Sequence, residues 1–196
     1  MTSFKLVPQD QSSTAHVIVV SKNVGDGMAK AGSHCVLPQD NFTTPLQRVL
    51  LWANGNLQRI LSAFHNTPVS IKVLHHKAVD PDVGLVLDCH VPSPQALLYD
   101  RKIHLVGNER LLCVANSKIV VWNETFKNLL VNEGVGIGQI FHYCKIVPDF
   151  RLLRVGEEAN GSFWRLYSLS TDGIYFEIHE WFPSNVFDSE IDTHKE

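Results

Sequence analysis

The chain has 196 residues, 44% of them hydrophobic and 19% charged, so it can bury a sizeable core and is not a disordered tail. Lys plus Arg number 17 against 20 Asp plus Glu, a net charge of -3 that gives no electrostatic ground for nucleic acid or an anionic membrane as the main partner. The longest apolar runs, Val17 to Val20 and Val49 to Ala53, are far too short to span a bilayer. The opening Met1-Thr2-Ser3-Phe4-Lys5 has no basic segment leading into an apolar stretch, so no secretory leader is expected and a cytoplasmic location is. Four cysteines, at 35, 89, 113 and 144, form no C-x-x-C pair and read as free thiols of a reducing compartment.

Residues 1–42 read as an N-terminal arm. Val17 to Val20 suggests a buried strand, and Gly25, Gly27, Gly32 and Pro38 mark a long loop after it. The main body is expected over 43–188, with a polar tail at 189–196. Thr43-Thr44-Pro45 is a helix start, a hydroxyl cap followed by proline where its missing N–H costs nothing. Leu46, Val49, Leu50 and Ala53 continue at helical spacing. After Asn54-Gly55 the stripe resumes at Leu57, Ile60, Leu61 and Phe64, which predicts two short helices joined by a turn.

Val69, Ile71 and Val73 alternate with polar residues and predict a strand over 69–77. A second runs over 100–106, with Gly107-Asn108 as a two-residue hairpin turn into a partner over 111–122. Asn123 caps a helix to about residue 132, and Gly134, Gly136 and Gly138 lead into another helical turn. Three strands follow, near 150–155, 162–169 and 174–182. Their short connections require antiparallel pairing. The expected fold is α+β: one antiparallel sheet of about six strands with flanking helices.

Which face of each strand carries charge is the most informative test, because side chains alternate along a strand. On 174–182, Ile174, Phe176, Ile178, Glu180 and Phe182 share a face, so Glu180 interrupts an apolar row. On 100–107, Arg101 shares a face with Ile103 and Leu105. Charges removed from water need a partner or a task. Two readings stand. In one, Arg101 and Glu180 form a buried ion pair that serves structure alone. In the other they line an enclosed site. There the Arg101 fork would hold a substrate carboxylate, and Glu180, its pKa raised by apolar surroundings, would handle a proton.

Other chemistries find little support. The Gly134-x-Gly136-x-Gly138 run follows a helix and lacks dinucleotide-loop spacing. Ten histidines include His75-His76, His34-Cys35, Cys89-His90 and His142-x-Cys144, but neighbours on a strand face opposite ways and no spaced Cys/His set exists, so no metal is expected. No G-x-S-x-G elbow is present. Asn41, Asn123 and Asn160 begin glycosylation sequons, which are chance matches in a cytosolic chain.

An ordered set of segments carries a resemblance. The set is Leu50-Leu51-Trp52-Ala53-Asn54-Gly55-Asn56-Leu57, then Asp100-Arg101-Lys102-Ile103, then Gly136-Ile137-Gly138-Gln139-Ile140-Phe141. Phe163-Trp164-Arg165-Leu166-Tyr167 follows, and Glu177-Ile178-His179-Glu180-Trp181-Phe182-Pro183 ends it. Over about residues 43–188 it resembles the chorismate lyase-like superfamily. That resemblance implies a six-stranded antiparallel sheet, a site enclosed under flap-like helical segments, and no metal or organic cofactor. It places the site arginine at Arg101, the site glutamate at Glu180, and flap contacts at Asn56, Ile137 and Gly138. The implied reaction converts chorismate to 4-hydroxybenzoate and pyruvate. Arg101 would bind the ring carboxylate and Glu180 would assist loss of the enolpyruvyl group.

Gly136, where the family pattern has proline, and the polar Asn56 depart from that pattern. They are the features that an isomerase or cyclase of specialised metabolism on the same scaffold would show. A non-catalytic module binding small carboxylates is the third expectation. The expected partner in each case is a small-molecule carboxylate; the oligomeric state is not indicated.

Overall fold

A computed structural model gives the fold over residues 14–19, 43–80 and 96–188, with backbone alone at 14–19. Residues 81–95, the rest of the N-terminal arm and the polar tail lie outside the described residues. The elements are β1 (Thr14–Val19), α1 (Pro45–Leu51), α2 (Leu57–His65), β2 (Val69–Val79), β3 (Leu97–Gly107) and β4 (Arg110–Val121). They continue with α3 (Glu124–Val131), α4 (Ile137–Tyr143), β5 (Asp149–Glu158), β6 (Phe163–Thr171) and β7 (Ile174–Phe182). The strands form one open antiparallel sheet in the order β1-β5-β6-β7-β4-β3-β2. The α+β architecture is the expected one. The six strands of the main body are joined at the β5 edge by β1, from the N-terminal arm, with Val17 opposite Gly156.

Local chemistry explains the element ends. Thr44 caps α1 in a reciprocal box: its hydroxyl accepts from the Gln47 N–H, and the Gln47 side chain accepts from the Thr44 N–H. Gly55 and Asn56 take positive φ between α1 and α2, the turn that Asn-Gly suggests. Asn123 caps α3 by accepting from the N–H groups of Thr125 and Phe126. The Gly173 carbonyl accepts from the N–H groups of Trp122 and Asn123, so the β6–β7 hairpin holds the start of α3. Gly173 is at φ +105, and a Cβ there would lie 2.4 Å from Cβ of Asn123, so only glycine fits.

The β3–β4 turn differs from the expected one. Gly107 is paired, opposite Arg110, and the two turn residues are Asn108 and Glu109, both at positive φ. Packing favours glycine at 107: a Cβ would sit 3.0 Å from Cδ1 of Leu112 and 3.3 Å from Cγ2 of Thr67, and both methyls would have to give way. Asn108 tolerates the left-handed region, and its Oδ1 accepts from the Thr67 hydroxyl at 2.6 Å.

All four helices lie on one face of the sheet. Their buried side chains, including Leu51, Leu61, Phe126, Leu130 and Ile140, join one core with Ile119, Phe150, Phe176 and Phe182 of the strands. No helix of the described residues is long and apolar enough to cross a membrane. Cys113 and Cys144 are free thiols, the former buried.

Candidate functional site

Strand register places the charged residues. Across the helix-covered face, Arg101, Ser117, Ile178, Tyr167 and Leu152 stand opposite one another in one row. The next row holds Ile103, Ala115, Glu180 and Arg165. On the other side stands the row of Tyr99, Ile119, Phe176, Leu169 and Phe150. Arg101 and Glu180 therefore face the same way, as alternation predicts. They are two strands and one same-face step apart, roughly 12 Å between Cα atoms by ordinary strand spacing.

A direct Arg101–Glu180 pair is not what forms. Glu180 is 6% exposed and pairs with Arg165, whose Nε donates to Oε2 at 2.6 Å. Tyr167 donates its hydroxyl to Oε1 at 2.9 Å, so both carboxylate oxygens accept from the protein itself. The physical reason is register: Arg165 is directly opposite Glu180 on the adjacent strand, whereas β4 intervenes between Glu180 and Arg101.

Arg165 is fully buried. Its Nη1 donates to the carbonyls of Leu51 and Ala53, at 3.1 and 2.6 Å. These carbonyls lie at the C-terminal end of α1, where a cation meets the negative end of the helix dipole. Burial pulls the Arg165 guanidinium down, but Glu180, Tyr167 and the hydrogen bond to Glu180 outweigh it and hold the pKa above its usual value. Burial and the Glu180 charge push both Tyr167 and Cys113 well above their usual values, so Tyr167 keeps its proton and donates it. The Arg165 guanidinium also lies 4.5 Å from the Tyr167 ring centroid. Nη2 of Arg165 is buried with no hydrogen-bond partner among the described residues.

Arg101 contrasts with this network. It is half-buried, and burial lowers its pKa. Its Nε is buried and has no hydrogen-bond partner among the described residues. His76 stands opposite it on β2 and stacks obliquely on Tyr99, ring centroids 5.1 Å apart. Burial, then Arg101 and His75, lower the His76 pKa. A guanidinium beside a neutral imidazole, with an Nε–H that has no partner among the described residues, is a ready anion contact.

The helical segments flank this row. Through Arg165 the corner between α1 and α2 is tied to the Glu180 row, and that corner holds Asn54, Gly55 and Asn56. Asn56 is exposed, in the left-handed region, and begins α2 without a side-chain cap. At the other side, Phe141 of α4 packs edge-on against Phe176, centroids 5.6 Å apart. Ile137 opens α4 and packs on the core, while Gly138, one residue on, is exposed with no atom within 4 Å of where a Cβ would stand. The row of Arg101, Ser117, Ile178 and Tyr167 thus runs between two helical ends.

Arg165 and Tyr167 are the residues that sequence reasoning passed over. The signal was present: on 163–169, Arg165 shares its face with Phe163, Tyr167 and Leu169, the same interruption of an apolar row that singled out Glu180. A separate groove of about 550 Å³ lies between α3, α4 and the β6–β7 turn, lined by Asn123, Phe126, Leu129, Tyr143 and Asp172, and includes none of the expected site residues. Among the described residues, no three His, Cys, Asp or Glu side chains are placed to hold a metal ion.

No protein-family model matches the chain, and no curated protein matches it.

Proposed function

We propose that the helix-covered face between the α1–α2 corner and α4 is an enclosed site for a small carboxylated ring, and that the protein is a cofactor-independent lyase of the chorismate lyase-like kind. The observation that carries this reading is the buried Nε of Arg101, without a partner among the described residues, on the same face as the Glu180–Arg165–Tyr167 network. A cation kept partly out of water without a partner is costly, and a ligand carboxylate removes that cost.

In this reading Arg101 grips the ring carboxylate through two parallel hydrogen bonds. Glu180, fixed by Arg165 and Tyr167, presents a rigid negative charge to the ring. Chorismate loses one ring proton, the bond between the ring and the enolpyruvyl oxygen breaks, and the proton ends in the methyl group of pyruvate. Aromatisation drives the step, and the protein contributes orientation and a fixed electrostatic field. Asn56, Ile137 and Gly138 belong to the two helical ends that would close over the ring.

One observation favours a second reading, a binding module without turnover. Both Glu180 oxygens are already engaged, which suits a structural anchor as well as a proton carrier. Incubation with chorismate separates the readings. Equimolar pyruvate and 4-hydroxybenzoate support the lyase. A new ring product without pyruvate moves the assignment to an isomerase or cyclase. Saturable carboxylate binding without any product leaves a binding module.

A further inference from the structure

The strand β2 ends the sheet at the edge opposite β1, so one side of its backbone has no partner strand among the described residues. It is long for an edge, 11 residues, and its apolar side chains are open: Ile71 is 46% exposed, Val73 52% and Leu74 44%. A register shift at Leu74 sets Ile71 and Val73 on the helix-covered face and Lys72, His75 and Lys77 on the other. The strand carries Lys72, His75, His76 and Lys77 and no acid. On β3 the same outer face continues with Lys102 and His104, Lys72 standing opposite His104. Asp100 is the acid of that face on β3; it stands opposite Lys77 and pairs with His75 at 3.0 Å, one acid against Lys72, His75, Lys77, Lys102 and His104. Burial, then the nearby charges of Lys102 and Lys72, hold the His104 pKa below its ordinary value.

An exposed edge with open apolar side chains is a template for another strand. The charge pattern selects which. In a self-pair of β2 the outward cations would meet only residues of a second β2, which has no acid to offer, and like charges across a strand pair repel. We propose that β2 is a docking edge for an acidic extended peptide, whose carboxylates align with Lys72 and Lys77 and whose alternate apolar side chains cover Ile71 and Val73. The docking edge is the open side of β2, whereas the ring site is centred on the Arg101 row, and neither proposal depends on the other.

The test uses the full chain and a labelled seven-residue peptide of alternating Glu and Val, followed by fluorescence anisotropy, with a Lys/Val peptide of equal length as control. Saturable binding of the acidic peptide, weakened by salt and at least about tenfold tighter than the control, is expected. The double variant Lys72→Gln/Lys77→Gln should lose at least about tenfold in affinity with its urea midpoint unchanged. Amide exchange should slow along β2 when the peptide binds. Failure of the acidic peptide to saturate, equal affinity for both peptides, or a concentration-dependent dimer that excludes the peptide would each overturn the proposal.

Discussion

Replacing Arg165 by methionine tests the buried network most directly. The side chain is fully buried, and its removal leaves Glu180 as an uncompensated charge in the core. Breaking a buried pair from one side costs about 3–5 kcal/mol. The carbonyls of Leu51 and Ala53 lose their donor as well, at about 1 kcal/mol each where water cannot replace it. The expected loss is therefore about 5–7 kcal/mol, a large part of the 5–15 kcal/mol typical of a domain. Urea denaturation followed by tryptophan fluorescence reads it as a shift of midpoint at constant slope. Glu180→Leu alone should also destabilise, because it leaves the Arg165 cation buried. The double variant Arg165→Met/Glu180→Leu should be more stable than either single one, with a coupling energy of about 2 kcal/mol or more. Additive losses in the cycle, or an Arg165→Met cost below about 1 kcal/mol, would refute the view that these two charges hold each other in the core.

The other expectations concern ligand, pH and packing. Arg101→Met should leave stability within about 1 kcal/mol of the parent or raise it, since it removes a buried Nε–H that has no partner among the described residues, while affinity for a carboxylated ring falls steeply in calorimetric titration; unchanged affinity would return Arg101 to a structural role. Glu180→Gln keeps the shape and removes the charge, and should lower the rate of pyruvate release far more than it changes KM; equal rates would remove Glu180 from the chemistry. Burial holds His179 below its ordinary value of 6.5, with Glu180 raising and Arg154 lowering it. The unfolded chain therefore binds this proton first, so the contribution of His179 is fully present above about pH 6.5 and is lost as pH falls through the folded value. The urea midpoint should fall on acidification less steeply in His179→Gln than in the parent; identical slopes would contradict this. Finally, Gly156→Ala places a Cβ 2.5 Å from the Trp164 ring, which must move, at about 1–3 kcal/mol and with a shift in tryptophan emission; an unchanged spectrum and midpoint would show that the ring is not held there.

Strand alternation made the sheet and the inward direction of Arg101 and Glu180 legible, because period-2 burial is written locally. The partner of Glu180 was not, since pairing depends on which strands are neighbours. β6 and β7 adjoin through a short hairpin and set Arg165 opposite Glu180, while β4 comes between Glu180 and Arg101. The role of Gly107 was hidden for a similar reason. Its glycine answers Leu112 and Thr67 across the fold, not the turn beside it. Caps such as Thr44 and Asn123 were readable because both donor and acceptor lie within one helical turn.

The antiparallel pairing of β1 with β5 joins Thr14 to Glu158. During synthesis β1 leaves the ribosome long before its partner exists, and at ~5–20 residues per second the wait is on the order of ten seconds. Throughout that interval its hydrogen-bonding groups are open to any other nascent chain or to a chaperone. Docking of this strand is then a closing step with a large loop to gather, so it should follow formation of the β5–β6–β7 meander and be the first contact released under load or mild denaturant.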